Sequence, residues 1–232
     1  MKKDYGQLPG YPAYPLSYLF QAGRPTSHRG VGTGKPVPAR NNGQGGEKLL
    51  QSLSEQQKFG EPLPDFSLRD LNGGTASVES IVGSRKGAVI VVWSSTCSHC
   101  IRYDNYFNTF EERYPDLGLL IVSSRQGEEI EAVRRAASQR KLKFPIVHDP
   151  KGEVAGQWFT RQTPRAFLLD ANRALQYRGA VDNYKYSDDP EYIPYLEPAI
   201  EQFLRNQPIA KPETASYGCA IQSVYYTLPK AL

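Results

Sequence analysis

Ala88-Val89-Ile90-Val91-Val92-Trp93, an unbroken apolar run dense in β-branched residues, constrains this chain more than any other stretch. A strand with one wet face alternates apolar and polar residues, whereas a continuous run must be covered on both faces, as in the middle of an α/β sheet. Ser94-Ser95-Thr96 follow at once and offer hydroxyl oxygens that cap a helix. Ile101, Tyr103, Tyr106, Phe107 and Phe110 then recur on a roughly helical spacing, so Cys97-Ser98-His99-Cys100 falls in the first helical turn. Residues 119–122 read as a second buried strand, 128–141 as a charged surface helix, and 144–148 as a third strand closed by Asp149-Pro150. Residues 165–170 and 174–179 flank Ala171-Asn172-Arg173 at hairpin spacing, and a last helix is expected over 190–206. The order predicts an α/β fold in which helices flank a central mixed β-sheet.

The sequence divides into a Gly/Pro-rich tail at 1–47, expected to be disordered, a folded domain at 48–206 that starts with a short helix over 48–57, and a C-terminal tail at 207–232 that holds Cys219. Lys2, Lys3, Arg24, Arg29, Lys35 and Arg40 against Asp4 and Glu47 account for the whole formal charge of +4, which leaves the domain neutral. A neutral domain has no basic face for nucleic acid, and nucleic-acid partners are not expected. No apolar run is long enough to span a bilayer, and Met1-Lys2-Lys3-Asp4 leads into Tyr, Gly and Pro rather than an apolar signal core. The expectation is a chain that does not span the membrane and carries no signal peptide.

Three cysteines are too few for a disulfide scaffold, and the C-x-x-C pair at Cys97 and Cys100 points to redox or metal chemistry. A thiolate at a helix N-terminus is stabilised by unpaired backbone N–H groups and the helix dipole. Cys97 has that place, and Cys100 comes round one turn later, so Cys97 reads as the nucleophile and Cys100 as the resolving thiol. His99 beside the sulfur either favours the thiolate as a donor and positive charge or is a solvated side chain with no electrostatic role. Structural zinc would need a second ligand pair, and His28, His148 and Cys219 offer none, so neither a metal nor another cofactor is expected. Haem attachment needs His after the second cysteine, where Ile101 stands.

These residues resemble the thioredoxin superfamily, within it the bacterial TlpA-like and redoxin (AhpC/TSA-like) branch. The resemblance covers roughly residues 60–206. It rests on Pro64-Asp65-Phe66-Ser67-Leu68, Val92 to Cys100, Phe144-Pro145-Ile146-Val147-His148-Asp149 and Thr163-Pro164-Arg165-Ala166-Phe167-Leu168-Leu169-Asp170. It implies a thioredoxin-like fold and a cis peptide bond between Thr163 and Pro164, against the dithiol, where the backbone receives an extended substrate. The plain alternative is a trans proline at a strand start. Two positions depart from the pattern: Val91 stands where the family has a buried acid, and Thr96 where it has an aromatic residue. The proton of Cys100 then goes to water, His99 or Asp104. Trp93 is expected to pack beneath the dithiol. Cys219, in Tyr217-Gly218-Cys219-Ala220-Ile221, is either a second resolving thiol or a structural or free cysteine.

The favoured function is thiol-disulfide exchange with protein thiols and disulfides, recycled by a redox partner, with Thr163 and Pro164 as the substrate platform. One alternative is an antioxidant thiol peroxidase, in which Cys97 reduces a peroxide; Ser94 and Ile90 stand where those enzymes have Thr and Pro. Another is a copper-binding assembly factor using the two thiolates with His99 or His148. The resemblance implies an extracytoplasmic, periplasmic place of work, against the expected lack of an export signal.

Overall fold

The computed structural model describes residues 58–221. The tail at 1–47, the helix expected over 48–57 and the last residues, 222–232, lie outside the described residues.

An antiparallel ribbon, β1 (Ser67–Arg69) and β2 (Thr75–Ser77), leads into α1 (Val78–Val82), which Ser77 and Ser80 close reciprocally as a capping box. The central strand β3 (Gly87–Trp93) follows, then three short helices, α2 (Ser98–Ile101), α3 (Asp104–Asn108) and α4 (Phe110–Arg113). Next come β4 (Leu117–Ser124), α5 (Ile130–Gln139), β5 (Ile146–Asp149), α6 (Glu153–Gln157), β6 (Gln162–Thr163), β7 (Arg165–Asp170), β8 (Leu175–Gly179), α7 (Leu196–Leu204) and β9 (Cys219–Ala220). The main sheet has the order β5-β4-β3-β7-β8. β4 runs parallel to β3 and β5 parallel to β4, while β7 and β8 are antiparallel to their neighbours.

Every residue of β3 is buried, as the apolar run requires. Val89, Val91 and Trp93 face one core, with Phe107, Phe110, Leu119, Leu196, Cys97 and Cys100. Ala88, Ile90 and Val92 face the other, with Leu120, Val122, Trp158 and Phe167. The dithiol thus stands at the end of the most enclosed strand of the sheet.

The single helix expected after the dithiol is broken into three. Thr109 lies between α3 and α4 at φ −106°, and its hydroxyl donates back to the carbonyls of Asn105 and Tyr106 at 3.2 and 3.4 Å. Asn and Thr side chains compete in this way with the helical ladder, and aromatic spacing alone does not reveal it. The last helix is also shorter than expected, because residues 181–195 form a loop held by Asp182 and Asn183 before α7 begins at Leu196.

Residues 207–221 are strapped along the sheet edge. Arg178 N–H donates to the Pro212 carbonyl, Thr214 N–H donates to the Arg178 carbonyl, and Ala180 N–H donates to Thr214 Oγ1 at 2.9 Å. Gly179 makes this approach feasible, since a Cβ there would sit 2.0 Å from Thr214 Oγ1. Ile221 N–H donates to the Arg161 carbonyl at 2.8 Å, and the Ile221 side chain enters the second core.

Candidate active site

Cys97 is the N-cap residue of α2, at φ −82° and ψ 113°, an extended conformation that ends the β3 loop and lets the next residues start the helix. Cys100 N–H and Ile101 N–H both donate to the Cys97 carbonyl, at 2.9 and 3.4 Å, and this turn brings Cys100 beside Cys97. Both side chains are fully buried. Across from them the Thr163–Pro164 peptide bond is cis. The Cys97 sulfur lies 3.3 Å from the Thr163 carbonyl oxygen, to which it donates when protonated.

The three thiols have divided properties. Donation from the Cys100 thiol, then from the Cys219 thiol and Thr163, outweighs burial and holds Cys97 down at about 4. Burial pushes the Cys100 thiol well up, and the neighbouring Cys97 adds to it. Cys219 is also pushed up, by burial and by Cys97, against the opposing pull of the His99 and Ser98 backbone N–H groups. The site therefore holds one thiolate flanked by two thiols that keep their protons. Among the described residues no three His, Cys, Asp or Glu side chains are gathered to hold a metal ion.

His99 is half-buried. Its ring lies against Tyr184, with centroids 4.4 Å apart, and its Nδ1 is buried with no partner. The Tyr184 ring in turn lies under the guanidinium of Arg102. The His99 ring is thus turned toward Tyr184. Asp104 is clamped by Arg140, whose Nε donates to Oδ2 at 2.6 Å and whose Nη2 donates to Oδ1. Arg140 also lies over the Trp93 ring, 5.0 Å from its centroid, and donates to the Ser95 carbonyl at 3.1 Å. Trp93 is fully buried beneath the dithiol loop. His148 stands apart, its Nε2 2.6 Å from the Glu128 carbonyl.

Glu128 is a residue supporting the candidate site that the sequence did not reveal. In a charged run it reads as a solvated helix face, but it precedes α5, is 7% exposed and points inward. Its Oε1 accepts from Ser94 Oγ, Ser95 N–H and Ser95 Oγ at 3.0, 3.0 and 2.7 Å, and its Oε2 accepts from Ser123 Oγ at 2.5 Å. One carboxylate thus fixes the loop that delivers Cys97. The visible signal was the serine-rich pair Ser94-Ser95 and Ser123-Ser124 at the ends of two adjacent buried strands, which together offer hydroxyl donors with no acceptor in their own strands.

Cys219, in the tail by sequence, is part of this site. β9 pairs antiparallel with β6, placing Cys219 opposite Thr163 and Ala220 opposite Gln162. Thr163 Oγ1 donates to the Cys219 carbonyl at 3.5 Å. Gly218 passes so close that a Cβ there would sit 1.7 Å from the Thr163 carbonyl oxygen and 3.4 Å from His99 Cβ.

Comparison with known proteins agrees with this arrangement. The chain is 28% identical over 139 residues to the thioredoxin-like protein YneN of Bacillus subtilis, covering 58% of this chain and 80% of that protein. It is 25% identical over 136 residues to the thiol-disulfide oxidoreductase ResA of Oceanobacillus iheyensis, covering 55% and 69%. A crystal structure of a hypothetical protein from Sinorhizobium meliloti superposes with a TM-score of 0.64 at 22% identity, over 72% of this chain and 95% of that one, which is a likeness of fold. The AhpC/TSA family profile matches residues 59–178, more than half of the sequence. With its mixed sheet, its cis Thr163–Pro164 bond and its C-x-x-C pair at the mouth of β3, the chain belongs to the AhpC/TSA family and is a thioredoxin-like member of it.

Proposed function

We propose that the protein exchanges disulfides with protein thiols, Cys97 acting as nucleophile, Cys100 as resolving thiol, and Thr163 and Pro164 as the backbone platform for the substrate. The observation that carries the reading is the asymmetry of the pair: Cys97 is held low at a helix N-cap while Cys100, one turn on, is held well up. The thiolate of Cys97 attacks a substrate disulfide, forming a mixed disulfide and releasing one substrate sulfur as thiolate. Cys100 then loses its proton and attacks the Cys97 sulfur, and the second substrate sulfur leaves and takes up a proton. The products are a Cys97–Cys100 disulfide and a reduced substrate, and the reverse sequence donates the disulfide. His99, Trp93 and Asp104 modulate the pair from its rim, Trp93 and Asp104 through Arg140. A separate redox partner recycles the dithiol, in a compartment outside the cytoplasmic membrane, as the TlpA-like resemblance suggests. Among the described residues no helix is long and apolar enough to cross a membrane.

The test is turnover of a disulfide-linked peptide with a glutathione couple. Cys97→Ser is expected to abolish exchange, and the double variant Cys100→Ser, Cys219→Ser to leave a single-turnover adduct on Cys97. Full exchange by Cys97→Ser, or stoichiometric copper binding with no exchange by the native chain, would sink the proposal.

A further inference from the structure

The fold leaves one feature that a two-cysteine mechanism does not use. Where a substrate chain would lie along Thr163, the chain's own strand β9 already lies, antiparallel and in register, with a cysteine at the paired position. Thr163 is 1% exposed and Cys97 fully buried. The segment enters through Gly218, the one residue type without a side chain to strike the Thr163 carbonyl, and leaves through Ile221, which is anchored in the core. Backbone N–H groups of Ser98 and His99, the opening of α2, face the Cys219 sulfur.

We infer that Cys219 is a third redox thiol of this site, taking the disulfide over from Cys100 to form a Cys97–Cys219 bond within the chain while β9 lies on Thr163. The inference rests on Cys97 being the nucleophile proposed above. In the step, the Cys219 sulfur attacks Cys97 of the Cys97–Cys100 disulfide. The Cys97–Cys219 bond forms, the Cys97–Cys100 bond breaks, and the proton lost by Cys219 ends on Cys100. No electrons enter or leave, and the oxidising equivalent is the one that the proposed exchange reaction loads. The groups around Cys219 suit the order of events. While Cys97 is a thiolate, its charge helps hold the Cys219 proton in place. Once Cys97 is in a disulfide that charge is gone, the Ser98 and His99 N–H groups remain, and Cys219 ionises more easily. The third thiol is therefore armed by oxidation of the first.

The test uses the full chain with Cys100→Ser, which leaves Cys97 and Cys219 as its thiols. Oxidised glutathione is added, and linked peptides are mapped over time. The expected result is a glutathione adduct on Cys97 that converts to an intramolecular Cys97–Cys219 link. An adduct that persists with Cys219 free overturns the inference and leaves the Cys97 reading intact, whereas an unreacted Cys97 overturns both. Adding Gly218→Val should slow the conversion by roughly tenfold, the effect of losing one or two net backbone hydrogen bonds; an unchanged rate overturns the role of β9. The native chain, poised in glutathione buffers, provides a check free of the Cys100 substitution. Peptides for both Cys97–Cys100 and Cys97–Cys219 are expected, and finding Cys97–Cys100 alone at every poise overturns the inference.

Discussion

Cys97 gathers its charge from neighbours that are themselves chemically labile, and this gives its titration a wide reach. Alkylation of Cys97 by a small reagent is expected to stay near its plateau at neutral pH and to fall off in acid with a midpoint near the thiol value of about 4. A midpoint near the ordinary thiol range, read from rate against pH, would contradict the assigned donors. The same shift links to stability. The folded value lies below the unfolded one, so its stabilisation is complete above the unfolded thiol value of about 8.5, declines as pH falls, and is gone below about 4. Urea unfolding of the reduced protein should accordingly lose ground against the oxidised protein between pH 9 and pH 4. Glu128 is the other residue whose consequences are sharp. Glu128→Ala removes the acceptor of four hydrogen bonds at a buried site and is expected to lower stability by about 3 kcal/mol, measured by urea unfolding. It should also loosen the loop before Cys97, read as faster exchange of the Ser95 amide.

Among the elements, the clamp between α3 and α5 and the strap along β8 carry distinct expectations. Arg140 joins Asp104, Trp93 and the Ser95 carbonyl, and both members of the ion pair are 16% exposed. Arg140→Ala strands a nearly buried carboxylate and is expected to cost about 2 kcal/mol, checked by thermal or urea unfolding. Thr214→Val removes the acceptor for Ala180 N–H and the partner of the Tyr177 hydroxyl, at 2.9 and 2.7 Å. Its expected cost is about 1–2 kcal/mol, with faster amide exchange in β8. How much of this the sequence showed depends on how local its cause is. The strand β3, the helix start at Cys97 and the hairpin of β7 and β8 follow from short patterns: an unbroken apolar run, hydroxyl residues before a helix, and a short turn in which Arg173 takes φ 65°. The break at Thr109 was not legible, because it comes from one hydroxyl bonding back to the main chain. The strap and β9 were hidden for another reason. Residues 207–221 have no period of their own and are ordered by partners some 35 to 60 residues earlier in the chain, such as Arg178 and Thr163.

At the scale of the whole molecule, a five-stranded mixed sheet sets the proposed nucleophile at the end of its most enclosed strand, and topology rather than sequence brings Cys219 to it. Cys97 and Cys100 were legible as a pair because their spacing is one helical turn; Cys219 was legible as a possible extra thiol but not its place beside Thr163, and Glu128 was not legible, because nothing near either in the chain specifies its neighbours. The redox poise is a property of this whole arrangement. A stabilised Cys97 thiolate stabilises the reduced protein, so the reduction potential of the Cys97–Cys100 pair is expected nearer the oxidising end of the family range, about −120 mV, than the thioredoxin end near about −270 mV. Equilibration with glutathione measures it, and a value at the thioredoxin end would mean that the donors around Cys97 do not govern the couple.

With Thr163 as the proposed substrate platform, the antiparallel seat of β9 there makes the chain a competitor of the extended substrates proposed for it. A strand joined to the domain by a short anchored loop is present at its binding edge at an effective concentration of about millimolar or more, whatever the concentration of protein in solution. An incoming polypeptide gains that edge only in the fraction of molecules whose tail has lifted, and its apparent affinity is reduced by that fraction. Small disulfides need the Cys97 sulfur but not the edge, so they are expected to be penalised less than extended substrates, and the seat of β9 then sets selectivity between the two.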